Sequence, residues 1–229
     1  MHVVDGFKQR GEGMTRLETF TDAAFAFAVT MLVVGGGDAI PVNFAEMMVA
    51  MKQVPAFAAS FANIMLFWYA HHVWSRRFGL DDWASALLSF ILVFVVLIYV
   101  YPLKAIFSGA LDFFSGGYLA SYFVIDSIAD LRTMFIIFSS AFAALSAVVV
   151  LLNRHALAQK AELALSALEE YETVSTIQHW IINMAVAVLS IVLAMTLPGP
   201  WTIVAGMIYG IFGVILPWHS IRRLRRRPD

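Results

Sequence analysis

The chain has 229 residues, of which 61% are hydrophobic and 14% charged, with a formal net charge of −1 and a mean hydropathy of +0.79. Soluble domains average roughly 45–50% apolar and 25% charged residues, so this composition excludes a water-soluble globular fold and places most side chains against lipid or one another. Cysteine is absent, which excludes disulfides, thiolate metal sites and a cysteine nucleophile.

The opening residues, MHVVDGFKQRGEGMT, are polar and glycine-rich without the apolar core of a signal peptide, so the first hydrophobic segment is expected to stay in the mature chain. A helix crossing about 30 Å of hydrocarbon needs roughly 20 apolar residues. Six segments meet that length. The first runs over 16–34 and stops at GGGD, the second over 55–74 behind an amphipathic lead-in, NFAEMMVAMKQ, and the third over 83–106. The fourth covers 131–152, the fifth 177–197 and the sixth 201–219, the last two parted by PGP at 198–200, which permits a reversal and no continued helix. Between the fourth and fifth, LAQKAELALSALEEYETV is rich in helix formers and is expected to prolong the fourth helix beyond the membrane. These elements predict one all-α membrane domain over residues 1–229.

The basic residues orient it. An even number of crossings puts both termini on one side with the 75–82 and 153–176 connections. That side holds Lys8, Arg10, Arg16, Arg76, Arg77, Arg154, Lys160, Arg222, Arg223, Arg225, Arg226 and Arg227, twelve of the fifteen Lys and Arg residues. The other side holds Lys52, Lys104 and Arg132 together with Asp38, Glu46, Asp112, Asp126 and Asp130, an acid-rich vestibule. By the positive-inside rule both termini are cytoplasmic, in a multi-pass protein of the cell membrane. Leu92, within the third span, is expected to face lipid.

No phosphate loop, nucleophile elbow or zinc helix motif is present, and no enzymatic activity, metal or cofactor is expected. His71 and His72 point about 100° apart on a helix and cannot chelate one metal from one face. The topology instead gathers polar residues at one depth: Arg16 to Asp22 open the first span, His71 and His72 close the second, and Asp81 and Asp82 precede the third. Buried charge at a membrane helix is tolerated when paired, so these groups are expected to satisfy one another, either as a pin between three helices or as part of an ion path. A secondary transporter, a proton-permeable pathway using this carboxylate and histidine cluster, and a haem-binding oxidoreductase are the competing classes. The apparent continuity of the spans favours a channel over a transporter.

The stretch RLETFTD at 16–22 resembles the R-x-x-x-F-S-D signature of the transmembrane protein 175 family, potassium-permeable channels of endosomes and lysosomes with bacterial single-repeat relatives. Arg16, Phe20 and Asp22 match it, with Thr21 in the place of serine. FWYAHHVWSRR at 67–77, containing Trp68, His71 and His72, resembles the family's histidine-containing end of the second helix.

This resemblance implies a fourfold homotetramer in which the first helix of each subunit lines a pore for monovalent cations, without a carbonyl selectivity filter. It implies lipid and like subunits as partners, not nucleic acid, and potassium ions as what passes. Helical geometry permits it: Phe27, Met31 and Val34 fall within about 40° of one line, Thr30 lies about 60° aside, and Asp22 is about 140° away, toward neighbouring helices. Phe27 stands where the family usually has isoleucine or leucine, so the implied constriction is a bulkier collar.

Overall fold

A computed structural model of the chain describes residues 3, 4, 6–34, 41–119 and 121–224. Asp38 and the arginines beyond Leu224 lie outside the described residues. A short antiparallel hairpin, β1 (Val3–Val4) and β2 (Phe7–Lys8), precedes α1 (Arg16–Val34), α2 (Phe44–Lys52), α3 (Val54–Phe78), α4 (Trp83–Ser115), α5 (Ile128–Ala158) and α6 (Ala167–Thr196). The last segment is one run of helix whose pitch alternates: 3₁₀ at Gly199–Ile203, α7 (Val204–Met207), 3₁₀ again at Ile208–Ile211, and α8 (Phe212–Leu224).

Local chemistry sets most ends. Asp82 accepts the Ser85 amide at 2.9 Å to start α4, and Ser127 accepts that of Asp130 at 3.1 Å to start α5. Ser166 and Glu169 close a reciprocal capping box on α6. Gly79 and Gly116 end α3 and α4 in the left-handed region, at φ 61° and 62°.

α5 and α6 form the most extensive pair, with α4 against α5 and α1 against α4 and α3. The core is built by stripes at helical spacing: Leu92, Val96, Tyr99 and Leu103 on α4 meet Phe138, Phe142, Leu145 and Val149 on α5. Buried hydroxyls and amides turn to their own helix, as in Thr21 to Leu17, Ser60 to Ala56 and Asn183 to His179, so few polar groups face hydrocarbon. The outside is apolar too. Phe94, Tyr101, Val188, Met195 and Val214 are all exposed, a surface that water disfavours and lipid accepts.

The expectations are met in part. α4 to α6 and the Gly199–Arg223 segment are long and apolar enough to cross a membrane, and α2 with α3, bent by 42°, counts as a fifth span if taken as one. Among the described residues, α1, which carries Arg16, Glu18 and Asp22 in its first two turns, is not one of these candidate spans. The stretch 157–174 does not prolong one helix: α5 stops at Ala158 and α6 begins at Ala167, with Ala164 between them at φ 46°. Leu92 does not face lipid. It is fully buried, because the Ser85, Ser89, Leu92, Val96 stripe is the face that α4 turns to the core.

Candidate functional site

α1 has two faces. Leu17, Glu18, Thr21, Phe25, Ala28 and Leu32 are buried at the spacing of one helical stripe, against α3 and α4. The opposite face carries Phe20, Ala23, Phe27 and Thr30, all exposed, Phe27 at 57%. Thr30 donates to Ala26 O at 3.0 Å, and Phe20 meets Phe90 edge-on at 5.5 Å. Met31 turns partly into the core, so the exposed line runs through Phe20, Ala23, Phe27 and Thr30 rather than through Phe27 and Met31. Val34 ends the helix, and its side chain is outside the described residues.

The motif carboxylate faces away from that line. Asp22 accepts a 2.8 Å hydrogen bond from the Trp68 indole on α3. Trp68 stacks on His72 at 5.2 Å, and His72 Nδ1 lies 3.9 Å from Glu18 Oε1 without a hydrogen bond. His71, buried on the other side of α3, pairs its Nε2 with Ser89 Oγ at 2.9 Å. Thr15 caps α1 by accepting the Glu18 amide at 3.0 Å.

The remaining polar residues do not join this group. Arg16 is exposed with no hydrogen bond or ion pair among the described residues, because it sits on the outward face of the first turn. Asp81 is exposed. Asp82 caps α4 and reaches α5, accepting from Gln159 at 2.9 Å and pairing with His155 at 2.8 Å. The convergence therefore splits into a Glu18, Asp22, Trp68, His72 group, a His71 to Ser89 pair and an Asp82 to His155 pair. The continuity used against a transporter fails at the 42° bend between α2 and α3, whereas the last span keeps a right-handed helical backbone and only tightens to 3₁₀ pitch at 208–211. Ser190 on α6 accepts from Ser139 at 2.9 Å and donates to Ala205 O at 2.7 Å, satisfying a carbonyl just before that tightening.

A second polar group stands at the same end of the bundle, unpredicted from sequence. Arg10 forks onto both carboxylate oxygens of buried Glu169 at 2.9 and 3.0 Å and donates to the carbonyls of Leu163, Lys8, Arg77 and Ala164. The Lys8 amide also donates to Glu169, at 2.9 Å. Phe7 is buried edge-on to Phe78 and beneath the Arg77 guanidinium. The S-x-x-E capping spacing at 166–169 was the available signal, but it gives no hint of Arg10.

On the opposite side, Glu46 is engaged at the start of α2 by Asn43 and Val42, and Asp130 accepts from Ser127 at 2.6 Å, so these two vestibule acids serve as helix-end partners.

Apolar helices of spanning length, a lipid-compatible exterior and a polar group at one end define a multi-pass membrane protein. Residues 16–102 match the family model described as endosomal/lysosomal potassium channel TMEM175. A curated relative, a potassium channel of Marivirga tractuosa, is 33% identical over 220 residues, which cover 92% of this chain and 87% of the relative. A crystal structure of a variant of the potassium channel MtTMEM175, bound to a nanobody fusion, is similar at TM-score 0.84 and 29% identity over the whole of both chains. A lysosomal potassium-selective channel TMEM175 homologue from Chamaesiphon minutus shares the fold at TM-score 0.56 and 20% identity, over 91% of this chain and 96% of that one. The chain belongs to the TMEM175 family of potassium channels.

Proposed function

We propose that the chain is one subunit of a fourfold potassium-permeable channel whose pore is lined by α1. The observation that carries this reading is the division of α1: one face is buried in its own protomer, while Phe20, Ala23, Phe27 and Thr30 are left exposed on the other. Four copies meeting on that face would put four Phe27 rings around one axis and Thr30 one turn further on. A collar of apolar rings closes a pore by expelling water, since an ion entering it must shed part of its hydration shell. An aromatic face attracts a bare cation by roughly 0.5–2 kcal/mol, too little to offset that loss, so basal flux is low while the rings pack inward. Neither a carbonyl filter nor a cofactor is required, and the chain is a conduit rather than an enzyme. Both termini lie on the cytoplasmic side of the cell membrane, as the distribution of basic residues supports.

The test is cation flux from liposomes at matched protein density, with potassium compared against sodium and an organic cation. Phe27→Ala raises potassium flux and relaxes discrimination, and Met31→Ala acts the same way more weakly because its half-buried thioether can move aside. Val188→Ala, at an exposed position on α6, changes neither. A Phe27→Ala protein that keeps its oligomeric state and carries no more potassium than wild type would refute the constriction.

A further inference from the structure

The last segment leans chiefly on α5 and α6. Between it and α3 and α4 lies a cavity of about 300 Å³, walled by Phe107, Phe135, Phe138, Phe142 and Phe212. A second cavity of about 300 Å³ shares Ile106, Ala110, Phe135 and Gly206 with the first and continues to the exposed rings of Phe113 and Phe114. The two make one trough. Its polar neighbours are committed elsewhere: Asn63 accepts from Tyr99, Asn183 donates to His179 O, and Tyr209 donates to Ser139. An apolar hollow at this depth excludes water and accepts hydrocarbon.

At its other end the trough stops at His179 and Leu216. One and two turns further along the same stripe of α8 stand His219 and Arg223, with Arg222 beside them. The Arg223 guanidinium lies 4.1 Å over the Tyr171 ring and donates from Nη2 to Tyr171 O at 3.4 Å, while its Nε is buried without a hydrogen-bond partner among the described residues. Arg222 lies over Trp218 at 5.3 Å, and Trp218 is exposed. Of the neighbouring acids on α6, Glu170 is paired with Lys160 at 2.9 Å. A cationic end with an orphan donor therefore continues directly into a hydrocarbon-lined trough, the charge and shape of an anionic phospholipid.

We propose that this face binds one anionic phospholipid from the leaflet on the side of the termini, its phosphate at Arg222, Arg223 and His219 and one acyl chain in the trough. The proposed function enters only in naming that leaflet cytoplasmic. Most of the trough lies beyond the matched residues 16–102.

The full chain, reconstituted in mixed phosphatidylcholine and phosphatidylglycerol and then released into detergent, is assayed for retained lipid by native mass spectrometry. Wild type is expected to favour phosphatidylglycerol roughly thirtyfold, the order set by two arginines at an anionic surface. Arg222→Gln with Arg223→Gln brings the two lipids to parity, the paired lysine replacements keep the preference, and Ala110→Phe, which fills the trough, lowers retention of both. Parity in wild type would overturn the proposal, as would retention untouched by Ala110→Phe, which means adsorption at the headgroup alone. Protection from thermal unfolding by inorganic phosphate equal to that by phosphatidylglycerol would also overturn it, marking a free-anion site. If the glutamine pair does not assemble, Ala110→Phe decides alone. Potassium flux in pure phosphatidylcholine reports on the channel separately.

Discussion

Trp68 Nε1 donates to Asp22 Oδ1 at 2.8 Å, and this bond joins α1 to α3 across the one face of α1 that meets its own protomer at the motif. It holds the rotation of α1, and so decides which residues of that helix are left outward.

Removing the donor with Trp68→Phe should therefore destabilise the protein by about 1.5–3 kcal/mol, the range for a hydrogen bond to a charged group. Asp22→Asn keeps an accepting oxygen and should cost less. Thermal unfolding in detergent ranks the two. A Trp68→Phe protein that melts with wild type would show that the bond contributes nothing.

Arg10 and Glu169 are a buried pair, with side-chain exposures of 10% and 1%. Losing one member of such a pair costs about 3–5 kcal/mol, because the other is left charged and dry. Arg10→Met and Glu169→Leu should each approach that cost, and the double variant should lose much less than their sum. Arg10→Lys should rescue little, since an ammonium cannot reproduce the bidentate fork. A denaturant double-mutant cycle measures the coupling; strict additivity would contradict it.

Asp82 lies outside the spans and gives a pH dependence. Burial alone would raise its pKa, but the Ser85 amide and the His155 and Gln159 side chains outweigh that and hold it well below the usual carboxylate range. With the folded value depressed, the stabilisation is present above the unfolded value of about 3.9 and is lost as pH falls through the folded one. Asp82→Asn keeps the helix cap but removes this titration. Unfolding free energy followed from neutral pH into the acid range should fall less steeply for Asp82→Asn than for wild type; parallel curves would exclude Asp82.

Glycines separate two kinds of constraint. A Cβ at Gly11 would lie 2.6 Å from Ser75 O, and one at Gly79, at φ 61°, would lie 2.9 Å from the Arg10 backbone. Gly116 has a similar φ but open space around it. Gly116→Ala should cost only the left-handed penalty of about 1–2 kcal/mol. Gly79→Ala should cost more, and Gly11→Ala should loosen the amino-terminal segment, seen as faster amide exchange at residues 7–11. Equal melting of Gly79→Ala and Gly116→Ala would remove the packing component.

α1 was readable from sequence because charges open it and glycines close the apolar run, and 140° of helical rotation placed Asp22 toward its neighbours. The end of α4 was not. Lys104, Gly109 and Asp112 interrupt hydrophobicity without interrupting helix, and Gly116 sets the true stop. The break at 159–166 was hidden for the opposite reason. Its residues favour helix, but Arg10 takes the Leu163 and Ala164 carbonyls, a contact more than 150 positions away in sequence. The 3₁₀ stretches of the last span were not legible because apolar composition says nothing of backbone pitch. At Gly206 a Cβ would lie 2.6 Å from the Phe135 ring, so glycine there permits a close approach that the pattern does not encode. Arg16 was misplaced because one turn of helix decides between the buried and the outward face.

The Arg10 knot also fixes a length. Gly11 N is bonded to Arg76 O at 3.1 Å, and only residues 12–15 separate that anchor from the start of α1. An extended chain gains at most about 3.3–3.6 Å per residue, so this is a short leash with its post in the α3 and α5–α6 connections. α1 cannot climb or swivel far without pulling on that post. Forces applied to the loops on this side of the bundle, by a bound protein or a cut in the backbone, are thereby delivered to the first helix without touching it.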